Sequence, residues 1–268
     1  MTEYEKILIL VGCGKMGGAL ARRWVSCGEV APEALVCLDR SEAAADALAA
    51  ELGAVRTIPA PSQIPRFFVM AVKPGELPGV LESYQDHFTE LDTVISVAAG
   101  VSIARLREAA GPLVGVVRTM PNTPALVGAG TTGVMGDGTV DMAVIRGLFS
   151  AVGSVVVLEK EEHFDALTAI SGSGPAYFFT AIEALADGGV KMGLPRAMAV
   201  ELARGTLEGA ARLVAESDLH TAELKDRVAS PGGTTIAALT MLEEKGFRHA
   251  LISAVEAATR RSQEMNQE

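Results

Sequence analysis

Two glycine-rich segments carry the residues best suited to chemistry. Near the start, ILILVGCGKMGGAL sets Gly12, Gly14 and Gly17 directly behind an apolar run. Near the end, LKDRVASPGGTTIAALTMLE sets Ser230, Pro231, Gly232, Gly233, Thr234 and Thr235 before an amphipathic stretch. The first segment has the G-x-G-x-x-G spacing that can hold a dinucleotide when a strand precedes it and a helix follows. Gly12 would make the tight turn, Gly14 would admit a pyrophosphate, and Gly17 would let helix and strand pack closely. In the second segment, successive amides and a following helix N-terminus can hold a small anion. Pro231 fixes one backbone angle, Gly232 and Gly233 open conformations closed to other residues, and the hydroxyls of Ser230, Thr234 and Thr235 add donors. Each segment has a plainer alternative. The first could be only a structural turn, which the flanking strand, helix and Asp39 argue against. The second could be a helix cap, a role compatible with binding.

The turn read as cofactor-binding runs through Val11, Gly12, Cys13, Gly14, Lys15, Met16 and Gly17. Asp39 ends the next strand, 22 residues after Gly17, where a carboxylate can take the adenine ribose hydroxyls and favour NAD. Arg40 follows at once and can pair with a 2′-phosphate, which favours NADP. The two point in opposite directions, so use of either NADPH or NADH is expected. Ligands of open α/β sheets bind beyond the carboxyl ends of the strands. Ala71, Val72, Lys73 and Pro74, then Val97, Ala98 and Ala99, stand at two further strand ends and join the cofactor set. VRTMPNTPALVG places Arg118, Pro121 and Asn122 at a later one, where a purely structural turn is the alternative; Asn122 is carried as a cofactor contact.

The elements that must position these residues fall into two parts. Apolar runs at 7–11, 35–38, 67–72, 94–97, 114–118 and 155–158 read as strands, and 132–135 may be read as one more. Helical patterns at 16–27, 41–52, 78–88, 103–110 and 140–151 lie between them, so the fold class expected is α/β with a Rossmann-type parallel sheet over 1–159. Beyond Leu158 strand signals stop. Apolar residues at helical spacing, such as Ala181, Leu185, Met198 and Leu202, predict an all-helical second domain over 160–268. Several of its helices are apolar on more than one face, which suggests burial against another subunit.

Composition narrows the partners. The 268 residues are 49% hydrophobic and carry a net charge of -10, which argues against nucleic acid and anionic membrane. No leading apolar segment with a cleavage site and no apolar run of about 18 residues is found, so a soluble cytoplasmic chain is expected. Cys13, Cys27 and Cys37 lack metal-ligand spacing and read as reduced thiols; the four histidines are scattered, and no metal is expected.

GCGKMG, AVKP, VAAGV, MPNTPALVG, SGSGPAY, DGGVKMGLPR and LKDRVASPGGTTIAAL, in this order and over essentially the whole chain, resemble the pyrroline-5-carboxylate reductase family. The resemblance implies an NAD(P)H-dependent reduction of the cyclic imine 1-pyrroline-5-carboxylate to L-proline. It implies a substrate carboxylate held by the loop Ser230 to Thr235, with Ser230 and Thr235 as catalytic candidates and Thr235 the suspected proton donor. It makes Glu161 a further substrate or product contact. Arg227 stands where many members carry asparagine and is read as the substrate contact there; Ile58 stands where some carry asparagine near the adenosine. Dimers built through the helical domain, and decamers of five dimers, are implied as well, with sites that draw on both subunits.

An absence agrees with this chemistry. Related hydroxyacid dehydrogenases use a lysine as general acid on the helix at the domain junction, but here the helix opening at Gly174-Pro175 has no lysine until Lys191. A ketone needs a proton for its developing alkoxide, whereas an imine can arrive protonated, so C=N is favoured over C=O. The competing readings are an imine reductase acting on another ring and a non-catalytic cofactor-binding regulator.

Overall fold

The computed structural model describes residues 5–265. The chain forms two compact units: residues up to Gly172 together with those from Thr259 onward, and Ser173–Ala258.

The first unit is built on a seven-stranded sheet, β1 (Ile7–Val11), β2 (Leu35–Leu38), β3 (Arg66–Met70), β4 (Thr93–Ser96), β5 (Gly115–Met120), β6 (Gly130–Gly136) and β7 (Gly153–Val157), in the spatial order β2-β1-β3-β4-β5-β6-β7. Between them run α1 (Lys15–Ser26), α2 (Glu42–Leu52), α3 (Leu77–Tyr84), α4 (Ile103–Ala110) and α5 (Met142–Ser150). A strand buried on both faces is apolar throughout, and β1 shows why. Leu8 and Leu10 face a cluster with Leu20, Trp24, Leu48 and Phe149, while Ile9 and Val11 face another with Leu77, Leu81 and Leu106. Trp24 is fully buried and donates its indole N–H to the Leu148 carbonyl at 2.7 Å, which fixes α1 against α5.

The sheet departs from the parallel expectation in one place. β1 to β5 pair in parallel, but β6 runs antiparallel to β5, and β7 is parallel to β6. A parallel neighbour needs a crossover of a dozen or more residues, usually a helix. The connection 121–129 holds only the one-turn helix Thr123–Val127, so the chain doubles back. The third and fourth strands also end earlier than their apolar runs: Ala71, Val72 and Val97 lie past the last paired residues, Met70 and Ser96.

Beyond β7, α6 (His163–Leu167) and a π-helical turn at Thr168–Gly172 remain with this unit, burying Phe164 and Ala169. Ser262, in the segment from Thr259 onward that belongs to this unit, donates a 2.6 Å hydrogen bond to Asp165.

The second unit is helical: α7 (Gly174–Lys191), α8 (Arg196–Glu216), α9 (Thr221–Arg227), α10 (Thr234–Glu244) and most of α11 (Phe247–Met265). Of its described residues only Gly174, Ala186, Ala199 and Ala203 are buried. Phe179, Leu202, Met241 and Ile252 are among the apolar side chains that remain exposed. Four small buried residues are too little to offset the ordering of five helices, so this surface requires a cover. No helix of the described residues is long and apolar enough to cross a membrane.

Candidate active site

Each unit, taken by itself, offers one helix N-terminus as a candidate binding position. The strand order reverses between β1 and β3, and in open α/β sheets the ligand crevice lies at such a switch point, beyond the carboxyl ends. Gly12 leaves β1 with φ +107°, and a side chain there would sit 2.5 Å from the Ala71 carbonyl oxygen that follows β3. Gly17, one turn into α1, faces the Gly12 carbonyl so closely that a Cβ would overlap it. Gly14, by contrast, has open space where a side chain would be, and it caps α1 with no side-chain hydrogen bond. The Ser41, Ser102 and Asp141 side chains close α2, α4 and α5 in the usual way. The first turn of α1, with Lys15 and Met16, therefore offers unclaimed amide donors and positive dipole potential to an anion.

Cys13 stands inside this turn, half-buried. Its thiol donates to the Leu38 carbonyl at 3.4 Å, and the adjacent Cys37 thiol, then burial, pushes it above the ordinary range. All three cysteines are free.

Asp39 is already partnered. One carboxylate oxygen accepts the Cys13 amide at 2.7 Å and the other the Ser41 amide at 2.8 Å, locking the end of β2 to the glycine turn. Arg40 is exposed and its guanidinium lies 3.2 Å from Glu76. Lys73 is exposed and precedes the one-turn helix Pro74–Glu76 that carries Glu76. After β4, the Ser96 hydroxyl accepts the Ala98 amide at 3.2 Å and the Ser96 carbonyl accepts the Thr119 hydroxyl at 2.8 Å. These buried hydroxyls shape the turn at Val97, Ala98 and Ala99. Sequence reading gave them no role, since a strand-end serine carries no signal until its partner on the next strand is known.

The Asn122 and Glu161 side chains both have hydrogen-bond partners within the fold. The Asn122 side chain donates to the Ser171 carbonyl at 3.0 Å and accepts the Thr131 amide at 2.9 Å, so it joins the loop after β5 to the π-helical turn. Glu161 accepts from the Ile103 amide at 2.7 Å and from Arg118 at 2.9 Å. Arg118 is buried and stacks 4.2 Å above the Phe164 ring. Glu161 thus braces the start of α4 against β5.

In the second unit, the Gly233 amide donates to the Ser230 carbonyl at 3.0 Å and closes a turn with Gly232 at φ +70°. Gly233 then caps α10 without any side-chain hydrogen bond, so the amides of Thr234 and Thr235 open the helix unclaimed. Ser230 and Thr234 are exposed, Thr235 half-buried, and Arg227 is exposed at the end of α9. Lys191 is the last residue of α7, about 26 Å along the helix from Gly174 at 1.5 Å per residue. α7 itself carries no lysine before Lys191. A cavity of about 570 Å³ lies at the opposite end of the sheet, beside Pro65, Thr93 and Gly115 at the strand starts, away from the glycine turns.

Comparison with known proteins adds to this geometry. The family model described as "Pyrroline-5-carboxylate reductase dimerisation" matches residues 161–265, and "NADP oxidoreductase coenzyme F420-dependent" matches 6–100. The pyrroline-5-carboxylate reductase of Synechocystis sp. is 44% identical over 96% of this chain and 97% of its own. The solved pyrroline-5-carboxylate reductase of Coxiella burnetii superposes with TM-score 0.90 at 32% identity, covering 98% of this chain and 99% of that one. The Plasmodium falciparum enzyme, solved with NADP bound, gives TM-score 0.80 at 31% identity over 97% and 98%.

Proposed function

We propose, because this chain belongs to the pyrroline-5-carboxylate reductase family, that its two uncapped glycine-led helices hold the two reactants of one imine reduction. The activity is the NAD(P)H-dependent reduction of 1-pyrroline-5-carboxylate to L-proline. The observation that carries the assignment of residues is the α10 N-terminus, where Gly233 caps the helix without a side chain and Ser230 and Thr235 flank it.

The open position at Gly14 fits a pyrophosphate, which any side chain there would crowd. Val11 to Gly17 cradle it, the α1 dipole complements its charge, and Asp39, Arg40, Lys73 and the Val97 to Ala99 turn line the remainder of the crevice. Reduced nicotinamide, when bound, supplies the hydride. The turn Ser230 to Thr235 binds the substrate carboxylate through its amides and hydroxyls, and Arg227 adds a cation beside it. Glu161 keeps its place as a contact to substrate or product through the oxygen it does not share with Ile103 and Arg118. As hydride adds to the carbon, the ring nitrogen regains a lone pair; Thr235 donates a hydrogen bond to it and steadies the developing amine. The chain supplies no lysine acid at the α7 opening, which suits an imine already protonated on nitrogen. Its main contribution is orientation, a source of roughly 7–11 kcal/mol of barrier lowering.

For this chemistry we assign residues 1–159 to the cofactor and 160–268 to substrate and self-association; the start of the dimerisation match at 161 supports that division. The exposed apolar faces of α7, α8, α10 and α11 support a dimer through these helices. The resemblance extends to a decamer of five dimers, which light scattering separates from a dimer. Three free cysteines suit a cytoplasmic enzyme.

Substrate competition tests the assignment. With NADPH, kcat/KM for 1-pyrroline-5-carboxylate is expected to exceed that for a six-membered cyclic imine carboxylate by about tenfold or more, as one ring methylene is worth about 1–3 kcal/mol. A preference for the larger ring would move the assignment to a different imine reductase.

A further inference from the structure

We propose that Glu76 is a specificity-determining residue, a built-in counter-ion that holds Arg40 and so limits the preference for a 2′-phosphorylated cofactor. The proposal rests on the reading of residues 11–17 and 39–40 as the cofactor site. Arg40 has two acidic neighbours, Asp39 beside it in the chain and Glu76 across from it, that differ in what they can do. Asp39 has an amide on each oxygen, from Cys13 at 2.7 Å and Ser41 at 2.8 Å, so it is pinned to the backbone and its charge is met by fixed dipoles. Glu76 has no such anchor. Among the described residues its recorded polar side-chain partner is Arg40, 3.2 Å away, and it reaches across from the loop after β3 to the end of β2. Arg56, another cation of this unit, faces Asp46 at 3.3 Å and Glu42 at 3.7 Å, both on α2.

The Arg40 and Glu76 side chains are 88% and 44% exposed, so their pair is weak and readily exchanged. A guanidinium binds phosphate through paired, charge-assisted hydrogen bonds and prefers it to a single exposed carboxylate. A 2′-phosphate therefore displaces Glu76, and binding is diminished by the contact it breaks and by the carboxylate left nearby. A ribose with a free 2′-hydroxyl leaves the pair intact. The residue thus narrows the gap between the two cofactors without touching either one, as expected of a chain in which Asp39 alone would favour NAD and Arg40 alone NADP.

The test uses the full-length protein and reads binding rather than turnover. Dissociation constants for NADP⁺ and NAD⁺ are measured through the fluorescence of Trp24, the single tryptophan, at low and high salt. Glu76→Gln is expected to tighten NADP⁺ about three- to fivefold at low salt, as befits an exposed ion pair, and to raise the NADP⁺ to NAD⁺ affinity ratio by the same factor. The gain shrinks at high salt. It is lost when the substitution is made in an Arg40→Gln background. An unchanged ratio, or an equal gain in both backgrounds, overturns the role of Glu76. Failure of the parent protein to bind either cofactor overturns the cofactor-site reading and this proposal together.

Discussion

Gly12→Ala will weaken NAD(P)H binding by about 10²-fold or more and lower the stability of the first unit by about 1–3 kcal/mol, the scale of a residue forced into a sparsely populated backbone region. Two independent effects act at this position. The backbone has φ +107°, which an alanine reaches only with strain, and the added Cβ would lie 2.5 Å from the Ala71 carbonyl oxygen and 2.7 Å from its carbon. Both atoms are backbone, so no side-chain rotation relieves the clash. The turn must move away from β3, and the amides at the start of α1 move with it. With those amides as the proposed pyrophosphate site, the loss is expected to fall on cofactor affinity before it falls on folding. Gly28→Ala is the control. It also has a positive φ, +71°, but nothing within 4 Å of its would-be side chain. It should lose stability and retain cofactor affinity. Fluorescence titration with NADPH and thermal unfolding of both variants separate the outcomes, and equal cofactor loss in the two would remove Gly12 from the binding turn.

Thr235→Ala is expected to lower kcat by about 10²-fold, near the low end for a positioned proton or hydrogen-bond donor and equivalent to about 2.7 kcal/mol of barrier. NADPH affinity should be retained, because the assigned cofactor residues all lie in the other unit. Thr235 is half-buried as the second residue of α10, where its backbone amide also faces the uncapped turn. Alanine keeps that amide and the helix, so the substitution isolates the hydroxyl. Thr235→Ser should recover most of the rate. A turnover unchanged by alanine would take the hydroxyl out of the mechanism and leave carboxylate binding to the amides and Ser230.

How far these features were legible in the sequence depends on whether their cause is local. The run Ile7–Val11 announces a strand buried on both faces because all five residues are apolar, and each does fall in one of the two cores. Gly12 and Gly232 take the positive φ that glycine allows, but Gly233 is extended at φ -78°, and what asks for glycine there is the Ser230 hydroxyl, which a Cβ would overlap. The apolar faces of the second unit were visible because periodicity belongs to the helix itself. Strand direction was not. β6 carries an ordinary strand pattern, and its reversal against β5 follows from a connection too short for a crossover. Ala71 and Val72 continue the apolar run of β3, yet they leave the ladder where Gly12 turns its partner strand away. The engagements of Asp39, Asn122 and Glu161 were hidden for a further reason. Each is a polar residue at a strand or loop end, and its partners, Cys13, Ser171 and Arg118, lie 26, 49 and 43 residues distant in the chain. Only the fold reveals that such a side chain is already occupied.

The central claim, that the crevice at Gly12 to Gly17 and the cradle at Ser230 to Thr235 serve one direct transfer in the assembled enzyme, is tested most directly by isotope. The reduction is run in ordinary water with 1-pyrroline-5-carboxylate and NADPH deuterated at the transferring position of C4. One deuterium per molecule of L-proline, on the ring carbon that was the imine carbon, is the result expected. Proline without the label, or NADPH consumed with no proline formed, would contradict the account.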